Sequence, residues 1–431
     1  MVNERRWLGI IFSLYFLLAL GYSLFLPIWE APDEPAHFHL AWRVARGKSY
    51  PTYEHNYETY QPRAYYYAVS LVIRALDQID PRFSSYYLPP HQPRNLRKPL
   101  AMFYWSPENY RLLLGVYSLR WVNILLGAAA LWLNWKSFRL LAPERPELRL
   151  AALALAALTP QYLHIMSAVS NDAAGTLAGA ALFYLAIRFL TEPSALLGLL
   201  SVLAALLLPF ITKLTVLPVS AGLLAIVAGN WFFSLRSKRW LFYSVLAVLL
   251  SAGIFYFLFP QTIQTAWNDV EWRLFSLRRN ALTSRYIKAI LSQIVWTYWG
   301  KVGWIAVGLH AYIVNFLTAL GLAGLLLDAA RLIKSRKAEP QFNLWIATWV
   351  IGIFTIFSVL RNGLATSATQ GRFLFPAIGT LSILMIGGWH AILPDRLRHH
   401  LPLVVVLLMI SCTLILWQLG ILPTYFQPFL D

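Results

Sequence analysis

The sequence predicts an all-α integral membrane protein with about eleven transmembrane helices and a large first outer loop. Of its 431 residues, 58% are hydrophobic and 13% are charged, whereas soluble domains are usually about 25% charged. The apolar residues fall in successive runs of roughly 20, the length that a helix needs to cross a bilayer. We therefore expect the whole chain, residues 1–431, to form one polytopic membrane domain.

The first expected span follows directly after the basic N-terminal sequence NERR. No small-residue cleavage motif comes after this apolar run, so we expect a retained signal anchor. Two longer apolar stretches are divided into hairpins, one by SND at 170–172 and one by LPFITKLTVLP at 208–218. The resulting spans lie near residues 7–27, 112–134, 150–168, 173–191, 196–212, 214–229, 240–260, 304–326, 342–360, 373–393 and 401–421.

The distribution of basic residues sets the expected orientation. With the N-terminus in the cytoplasm, every short inner loop is basic, as the positive-inside rule requires. The apolar segment 63–78 would reverse this parity if it spanned the membrane. Arg63, Arg74 and Asp77 interrupt it, so we expect an amphipathic helix that lies at the outer surface. The inner loops are then 136–149, 188–195, 230–239, 327–341 and 391–400.

Two loops on the expected outer face are long, 28–111 and 261–303, and the first is rich in proline and tyrosine. Loops of this length without a function are uncommon, so the first loop is the natural place for a site. The formal net charge of +17 fits membrane orientation or anionic partners. Because the basic residues are scattered between apolar spans, we do not expect nucleic acid as a partner.

An acidic pair, Asp33 and Glu34, opens the first outer loop in the sequence IWEAPDEPAHFHLAW. Pro35 and Gly47 bound a predicted short helix, and the pair could cap that helix. A carboxylate beside the bilayer could also act as a general base toward a lipid-borne substrate. Both interpretations stay open, since capping would keep the carboxylate ionised. His37 lies one turn from Asp33. Asp33, Glu34 and His37 could bind a divalent metal, although a hydrogen-bonded histidine is the simpler interpretation.

Further polar residues stand at the outer ends of the spans. Polar groups at membrane depth are costly and usually face a polar interior or a substrate path, although each can also be a helix cap or a snorkelling side chain. All of them fall on the face that carries the acidic pair, so we expect Lys213, Arg361 and Arg372 to converge on an anion. The natural anion there is a lipid-carrier phosphate, which arginine binds bidentately. The residues concerned are Asn171, Asp172, Lys213, Arg361, Gln370 and Arg372.

An aromatic and glycine-rich sequence, ILSQIVWTYWGKVGWIAVGLH, ends the second long loop. An interfacial aromatic belt explains tryptophans in this position. It does not explain the glycines, which permit tight turns or the close approach of a ligand. Such a surface also suits stacking on a sugar ring or an isoprenoid chain, so Trp299, Gly300 and Trp304 are expected to line a substrate path.

Several enzyme classes lack their motifs in this sequence. It contains no Walker A loop, Rossmann glycine motif or GxSxG elbow, and no CxxC or HExxH metal motif. No inner loop is long enough to form a nucleotide-sugar domain. Any sugar chemistry must therefore use an activated donor that is available on the outer face.

The order of the motifs resembles the GT-C superfamily of integral membrane glycosyltransferases, and more narrowly an uncharacterised bacterial family of polytopic membrane proteins placed near it. The sequence departs from that pattern at 61–67, where Arg63 and Ala64 replace an expected proline and leucine. This departure affects acceptor-side details more than the fold. The segments that carry the resemblance are PDEPAHF at 32–38, VSND at 169–172, TKLT at 212–215, YWGKVGW at 298–304 and QGRFLFP at 370–376.

The resemblance implies a GT-C-like fold and an inverting transfer of sugar from a polyprenyl-phosphate donor, on the outer face of a bacterial plasma (inner) membrane. Asp33 would be the base and Glu34 its partner or a metal ligand. No cofactor is required, although a divalent metal can be accommodated, and the acceptor would be a saccharide, a lipid or a protein. The implied phosphate ligands are Lys213, Arg361, Arg372 and Gln370, and the implied substrate-lining residues are His37, Asn171, Asp172, Tyr65, Trp299, Gly300 and Trp304.

Three other functions stay open at the level of sequence. A flippase or transporter for lipid-linked saccharides would place charges and broken helices near the bilayer midplane, whereas here the polar residues gather at one face. A polymerase or ligase of lipid-linked glycans would share the outer location and the arginines, but it does not need the acidic pair. A non-catalytic scaffold is compatible with the long polar first loop.

Overall fold

The computed structural model describes residues 3–52, 55–80, 110–234, 271, 276–278, 281–334, 341–366 and 369–426. Within these residues the chain is a bundle of helices with one two-stranded hairpin, which confirms the all-α membrane class. In this part of the chain, eight helices are long and apolar enough to cross a membrane. The span expected at 240–260 lies outside the described residues, as do parts of both long outer loops.

The helices follow the expected order along the chain. They are α1 Glu4–Phe25, α2 Glu34–Ala45, α3 Ala64–Ile79, α4 Tyr110–Leu141, α5 Pro146–Leu158, α6 Pro160–Met166, α7 Asp172–Thr191, α8 Ala195–Ile211, α9 Leu217–Ser234, α10 Ser284–Trp299, α11 Ala311–Lys334, α12 Phe342–Ala365, α13 Ile378–Ile392, α14 Asp395–Arg398, α15 Leu401–Leu416 and α16 Leu422–Tyr425. Short 3₁₀ helices cover Tyr57–Tyr60, Leu214–Val216 and Gly371–Ala377, and a π-helical turn covers Trp417–Ile421. Strands β1 Lys301–Val302 and β2 Val307–Gly308 pair antiparallel.

Two expected spans differ from the observed helices. The span expected at 150–168 is divided into α5 and α6, because Pro160 has no N–H to continue the α5 ladder and begins a new helix instead. The span expected at 304–326 begins only at Ala311, because the preceding residues form the β1–β2 hairpin. Elsewhere in the described residues, the expected spans coincide with helices to within a few residues.

Helix α5 lies at the centre of the bundle. Every residue from Leu148 to Leu158 is buried, and the helix contacts α1, α4, α13 and α15. A helix that is apolar on all sides is expected to be surrounded by other helices. The alternating leucines and alanines of α5 allow these neighbours to approach closely.

Helix α3 corresponds to the amphipathic segment that the sequence predicts. Its buried face, which includes Tyr65, Tyr66 and Val69, packs with α2 and α4 in a second hydrophobic cluster. Leu71 and Ile79 are exposed on the opposite face. This cluster fixes the first outer loop against the start of α4.

Polar contacts divide the bundle into two ends. At one end, His390 Nε2 lies 3.0 Å from Glu147 Oε1, and Arg149 pairs with Glu4 near the N-terminus. These contacts bring the N-terminus together with two of the basic loops. The acidic pair and its partners lie at the opposite end, where α1 ends and α2 begins.

Glycines allow α11 and α13 to approach closely. A Cβ atom added at Gly388 would collide with the backbone carbonyl of Gly324, and one added at Gly324 would collide with the carbonyl of Met385. Small residues at helix crossings are a common packing device within membranes. On α1, by contrast, a Cβ at Gly9 would have no neighbour within 4 Å.

We expect Gly388→Val to lower the free energy of unfolding by about 1–3 kcal/mol, the usual range for overpacking. Gly9→Val is the matched control, because it adds the same side chain at a position where a Cβ atom has no neighbour within 4 Å. Thermal unfolding in detergent, followed by circular dichroism, measures both. Equal melting temperatures for the two variants would show that the α11–α13 crossing is not close-packed.

Candidate active site

The segment between α1 and α2, residues 26–33, ends at Asp33, the first residue of the acidic pair, and has an unusual backbone. Trp29 and Asp33 have φ angles of 72° and 65°, in the left-handed region that side chains other than glycine seldom adopt. Each such residue costs of order 1–3 kcal/mol and persists only when its surroundings hold it. We call this segment the acidic loop.

Arg120 of α4 holds the acidic loop from within the bundle. Its side chain is fully buried, and its Nε and Nη2 atoms donate to the two carboxylate oxygens of Glu34 at 2.7 Å each. Its Nη1 atom donates to the carbonyls of Ser23 and Leu26 at 2.6 and 2.8 Å. One guanidinium therefore fixes the end of α1 and the start of α2 together.

The carboxylate of Glu34 has further partners. It accepts the backbone N–H groups of Trp29 and Val169, each at 3.0 Å, and it has no exposed surface. Each carboxylate oxygen of Glu34 thus accepts one hydrogen bond from Arg120 and one from a backbone N–H group. This geometry does not support the expected role of Glu34 as a catalytic partner or metal ligand and gives it a structural one.

Asp33 has a different environment, although it is the neighbouring residue. Asp33 stands at the N-cap position of α2, but its side chain makes no capping hydrogen bond to that helix. Instead its Oδ1 accepts the hydroxyl of Tyr57 at 3.0 Å, and its Oδ2 accepts Arg372 Nη2 at 2.6 Å. The side chain keeps 20% exposure. Burial raises the pKa of Asp33, but the Arg372 guanidinium opposes it and the net pKa is lowered.

Asp172 and Lys213 extend this arrangement. Lys213 Nζ lies 2.8 Å from Asp172 Oδ1, and Arg372 Nη1 lies 3.4 Å from Asp172 Oδ2. Asp33, Arg372, Asp172 and Lys213 therefore form a chain of alternating charges, which we call the charge cluster. The cluster joins the start of α2, the start of α7, the end of α8 and the segment before α13.

The backbone around Arg372 explains how this side chain enters the bundle. The Gly371 N–H donates to Thr297 Oγ1 at 2.6 Å, and a Cβ at Gly371 would collide with the carbonyl of Ile294 on α10. Only glycine permits this close approach. Of the three cations expected to converge, Arg372 and Lys213 both lie against Asp172.

Several buried polar atoms at the charge cluster have no hydrogen-bond partner among the described residues. They include two nitrogens of Arg372, Nε and Nη1, together with Asn171 Oδ1 and Glu58 Oε2. Leaving a buried polar group unpaired costs about 1–3 kcal/mol, and more for a charged group. A buried polar group without a hydrogen bond in the protein is accounted for by water, by an ion or by a role in catalysis.

The 3₁₀ helix Tyr57–Tyr60 supplies residues that the sequence analysis did not identify. Tyr57 contacts Asp33, and Gln61 accepts a hydrogen bond from Asn171 Nδ2 at 3.1 Å. Asn56 anchors the helix, since its Nδ2 donates to the Ala36 carbonyl at 2.9 Å. Glu58, between these residues, is buried. The available signal was an isolated acid among the tyrosines of the first outer loop.

His37 follows the simpler of its two interpretations. Its Nδ1 lies 2.8 Å from the hydroxyl of Tyr66. Burial, followed by the charge of Lys213, lowers the pKa of His37 to about 3, so the ring is neutral at pH 7. The part of the chain that the structure describes holds no group of three His, Cys, Asp or Glu side chains that could bind a metal.

Two expected phosphate ligands take other positions. Arg361, near the end of α12, donates from both Nη atoms to the carbonyl of Ser276 at 3.0 Å, and the structure does not bring it to the charge cluster. Gln370 is half-buried at the start of the 3₁₀ helix that carries Arg372. Gln370 therefore borders the site without a described side-chain contact to it.

The expected substrate-lining aromatics are mainly structural. The Tyr65 hydroxyl donates to Asn123 Oδ1 at 3.0 Å, and Asn123 in turn holds the Ser170 carbonyl at 2.9 Å. Trp304 donates from its indole to the Trp29 carbonyl at 2.8 Å and so supports the acidic loop.

The other two residues of the aromatic segment lie in the core. Trp299 is buried, and its indole N–H donates to Thr318 Oγ1 at 3.0 Å. Gly300 ends α10 beside Leu309. The structure places neither of them at the charge cluster.

Comparison with solved structures identifies the fold. The chain is similar to ArnT from Cupriavidus metallidurans solved with undecaprenyl phosphate bound, with 13% identity and a TM-score of 0.53 over 97% of this chain and 74% of that one. The apo structure of the same protein gives 13% identity, a TM-score of 0.51 and coverages of 98% and 74%. No family model and no curated protein sequence matches the chain. The likeness shows that the chain shares the fold of ArnT.

We expect Glu34→Gln to destabilise the protein by about 3–5 kcal/mol, because it leaves the buried Arg120 charge without its counter-ion. Glu192→Gln breaks an exposed pair, in which Glu192 Oε2 lies 2.7 Å from Arg188 Nη2, and should change stability by less than about 1 kcal/mol. Thermal unfolding of both variants checks this. A Glu34→Gln protein that is fully stable but inactive would instead support a catalytic Glu34.

Proposed function

We propose that the chain is a membrane glycosyltransferase that moves a sugar from a polyprenyl-phosphate donor to an acceptor on the outer face. The observation that carries the proposal is the buried pair of cations, Arg372 and Lys213, with two Arg372 nitrogens lacking a hydrogen-bond partner in the described residues. A guanidinium whose N–H groups are not all hydrogen-bonded can bind a phosphate through two parallel N–H···O bonds. The fold neighbour ArnT was solved with undecaprenyl phosphate bound, which supports the same class of donor here.

The charge cluster suits a phosphate as leaving group. A polyprenyl-phosphate sugar carries one negative charge, and its phosphate gains a second when the bond to the sugar breaks. Arg372 and Lys213 would stabilise that developing charge, which is the type of interaction that contributes most to catalysis. No step of this transfer needs a metal or another cofactor.

Asp33 is the proposed base for the acceptor. It is the exposed end of the charge cluster, at 20%, and so is within reach of an incoming hydroxyl. In a single displacement, a carboxylate activates the acceptor on the face opposite the leaving group, and the transfer inverts the anomeric centre. His37, Asn171 and Gln370 border the same region and would line the substrate site, with a saccharide, a lipid or a protein as the acceptor.

The arrangement favours transfer over transport. The four residues of the charge cluster lie at one end of the bundle, and Tyr57 contacts one of them, Asp33. A transporter is expected to hold its site near the midplane between broken helices. A one-ended site beside a long loop fits an enzyme that meets its acceptor outside the membrane.

A transfer assay tests the proposal. Purified protein in lipid would receive radiolabelled polyprenyl-phosphate sugars and a crude envelope acceptor fraction. We expect label to reach the acceptor with wild type, and Asp33→Asn to lower the rate by roughly 100-fold or more through loss of the base. Full activity of Asp33→Asn at saturating donor would exclude Asp33 as the base.

Arg372→Lys tests the phosphate site in the same assay. Lysine keeps the charge but loses the planar fork of N–H groups, so we expect kcat/KM to fall by roughly 10²–10³-fold. Arg188→Lys, at the opposite end of the bundle, is the matched control. Equal values of kcat/KM for the two variants would show that Arg372 does not bind the donor phosphate.

The proposed orientation has its own test. Lys48 and Glu192 are exposed at opposite ends of the bundle, whereas the native Cys412 is buried. With the N-terminus in the cytoplasm of a bacterium, a membrane-impermeant maleimide should label Lys48→Cys in intact spheroplasts. It should label Glu192→Cys only after permeabilisation, and the reverse pattern would invert the orientation.

A further inference from the structure

We propose that Glu58 is a second carboxylate of the transfer reaction, which receives the acceptor proton from Asp33. This inference rests on the proposed function and adds a residue to its site. The sequence motifs do not point to Glu58. Its position in the fold does, because the 3₁₀ helix that carries Glu58 also carries Tyr57, which contacts Asp33, and the charges of Asp33, Lys213 and Arg372 act on Glu58.

The side chains around Glu58 fix its location. Its backbone N–H donates to Asn56 Oδ1 at 2.9 Å. Tyr57, the preceding residue, donates a hydrogen bond to Asp33. Gln61, three residues after Glu58, accepts a hydrogen bond from Asn171. Glu58 is itself 6% exposed, and in sequence it lies between two residues that already contact the site.

The carboxylate of Glu58 differs from the other carboxylates of the site in its partners. Both oxygens of Asp33 accept hydrogen bonds, and both oxygens of Asp172 have polar partners. Glu34 is likewise saturated. Glu58 Oε2, by contrast, is buried and has no hydrogen-bond partner in the described part of the chain. It therefore keeps an oxygen that can take a proton.

Charge balance favours the proton on Glu58. The two carboxylates and the two cations of the charge cluster neutralise one another, so an ionised Glu58 adds an unmatched negative charge. Burial, followed by the charge of Asp33, raises the pKa of Glu58 to about 7, although Lys213 and Arg372 oppose the rise. The pKa of Asp33 is lowered. A proton taken up by Asp33 is thus more stable on Glu58.

The groups that face Glu58 come from several elements. They are the carboxylate of Asp33, the cations of Lys213 and Arg372, and the hydroxyl groups of Tyr50, Tyr57 and Tyr66. The tyrosine pKa values are raised by burial first, so these hydroxyls stay neutral near pH 7. Two enzyme carboxylates whose pKa values are pushed apart are a common basis for acid–base chemistry.

The proposed step balances in atoms and charge. The acceptor oxygen forms a bond to the anomeric carbon, and the bond from that carbon to the phosphate oxygen breaks with its electron pair on the phosphate. The acceptor proton moves to Asp33, and a water molecule relays it to Glu58 Oε2, which makes no direct hydrogen bond to Asp33. Glu58 releases it to water after the product leaves, which returns both carboxylates to their starting state.

The test compares wild type with Glu58→Gln and Glu58→Asp in the transfer assay across pH. With wild type, kcat/KM should rise as pH increases through about 7, because the ionised form of Glu58 is the one that accepts a proton. Glu58→Gln should lose about 10-fold or more in kcat and lose this rise, in line with general-base contributions. Glu58→Asp should recover part of both, and Glu192→Gln is the surface control. A Glu58→Gln protein with the rate and pH profile of wild type would overturn the inference.

Infrared difference spectroscopy separates this inference from the proposed function. The protonated-carboxyl band of wild type should titrate near pH 7, and that component should be missing from Glu58→Gln, whether or not a donor is known. No such titration would overturn the assignment to Glu58. If wild type uses no donor, the proposed function is overturned, and the proton transfer with it. If sugar transfer occurs but its rate and pH profile are unchanged in Glu58→Gln, only the inference about Glu58 is overturned.

Discussion

The buried ion pair between Arg120 and Glu34 is the contact on which the site depends. Burying two charges is favourable only when every remaining donor and acceptor is satisfied. Here the spare guanidinium N–H groups bind carbonyls at the end of α1, and the spare carboxylate capacity binds backbone N–H groups of Trp29 and Val169. The pair thus joins α1, α2, α4 and the turn before α7, and it holds Asp33 in a backbone conformation that it would not adopt alone.

Arg372 links the two halves of the proposed chemistry. In the structure its Nη2 atom donates to Asp33, which weakens that carboxylate as a base, whereas Nε and Nη1 make no hydrogen bond in the described residues and Nη1 lies 3.4 Å from Asp172 Oδ2. A phosphate that engaged the free nitrogens would share the guanidinium charge and raise the basicity of Asp33. Binding of the donor and activation of the acceptor are therefore coupled through one side chain, with Glu58 as the place where the proton is most stable.

The sequence predicted what depends on local pattern. The apolar runs located the spans, and the interrupted segment at 63–78 gave α3. Asp33, Asp172, Lys213 and Arg372 were recognised because charged residues at span ends are rare. Contacts between distant residues could not be predicted from local patterns, since Glu34 and Arg120 are 86 residues apart and Asp33 and Arg372 are 339 apart. For the same reason, local pattern did not reveal that Glu34 pairs with Arg120, that Arg361 contacts Ser276, or that Tyr57 contacts Asp33.

The position of the phosphate tests the account most directly. A structure of the protein in lipid nanodiscs, determined by electron cryomicroscopy with undecaprenyl phosphate added, would locate it. We predict phosphate density within hydrogen-bond distance of Arg372 Nε and Nη1 and beside Lys213 Nζ, at the end of the bundle that carries the acidic loop. Phosphate bound elsewhere, with Arg372 contacting only Asp33 and Asp172 and with Lys213 contacting only Asp172, would contradict the proposed donor site.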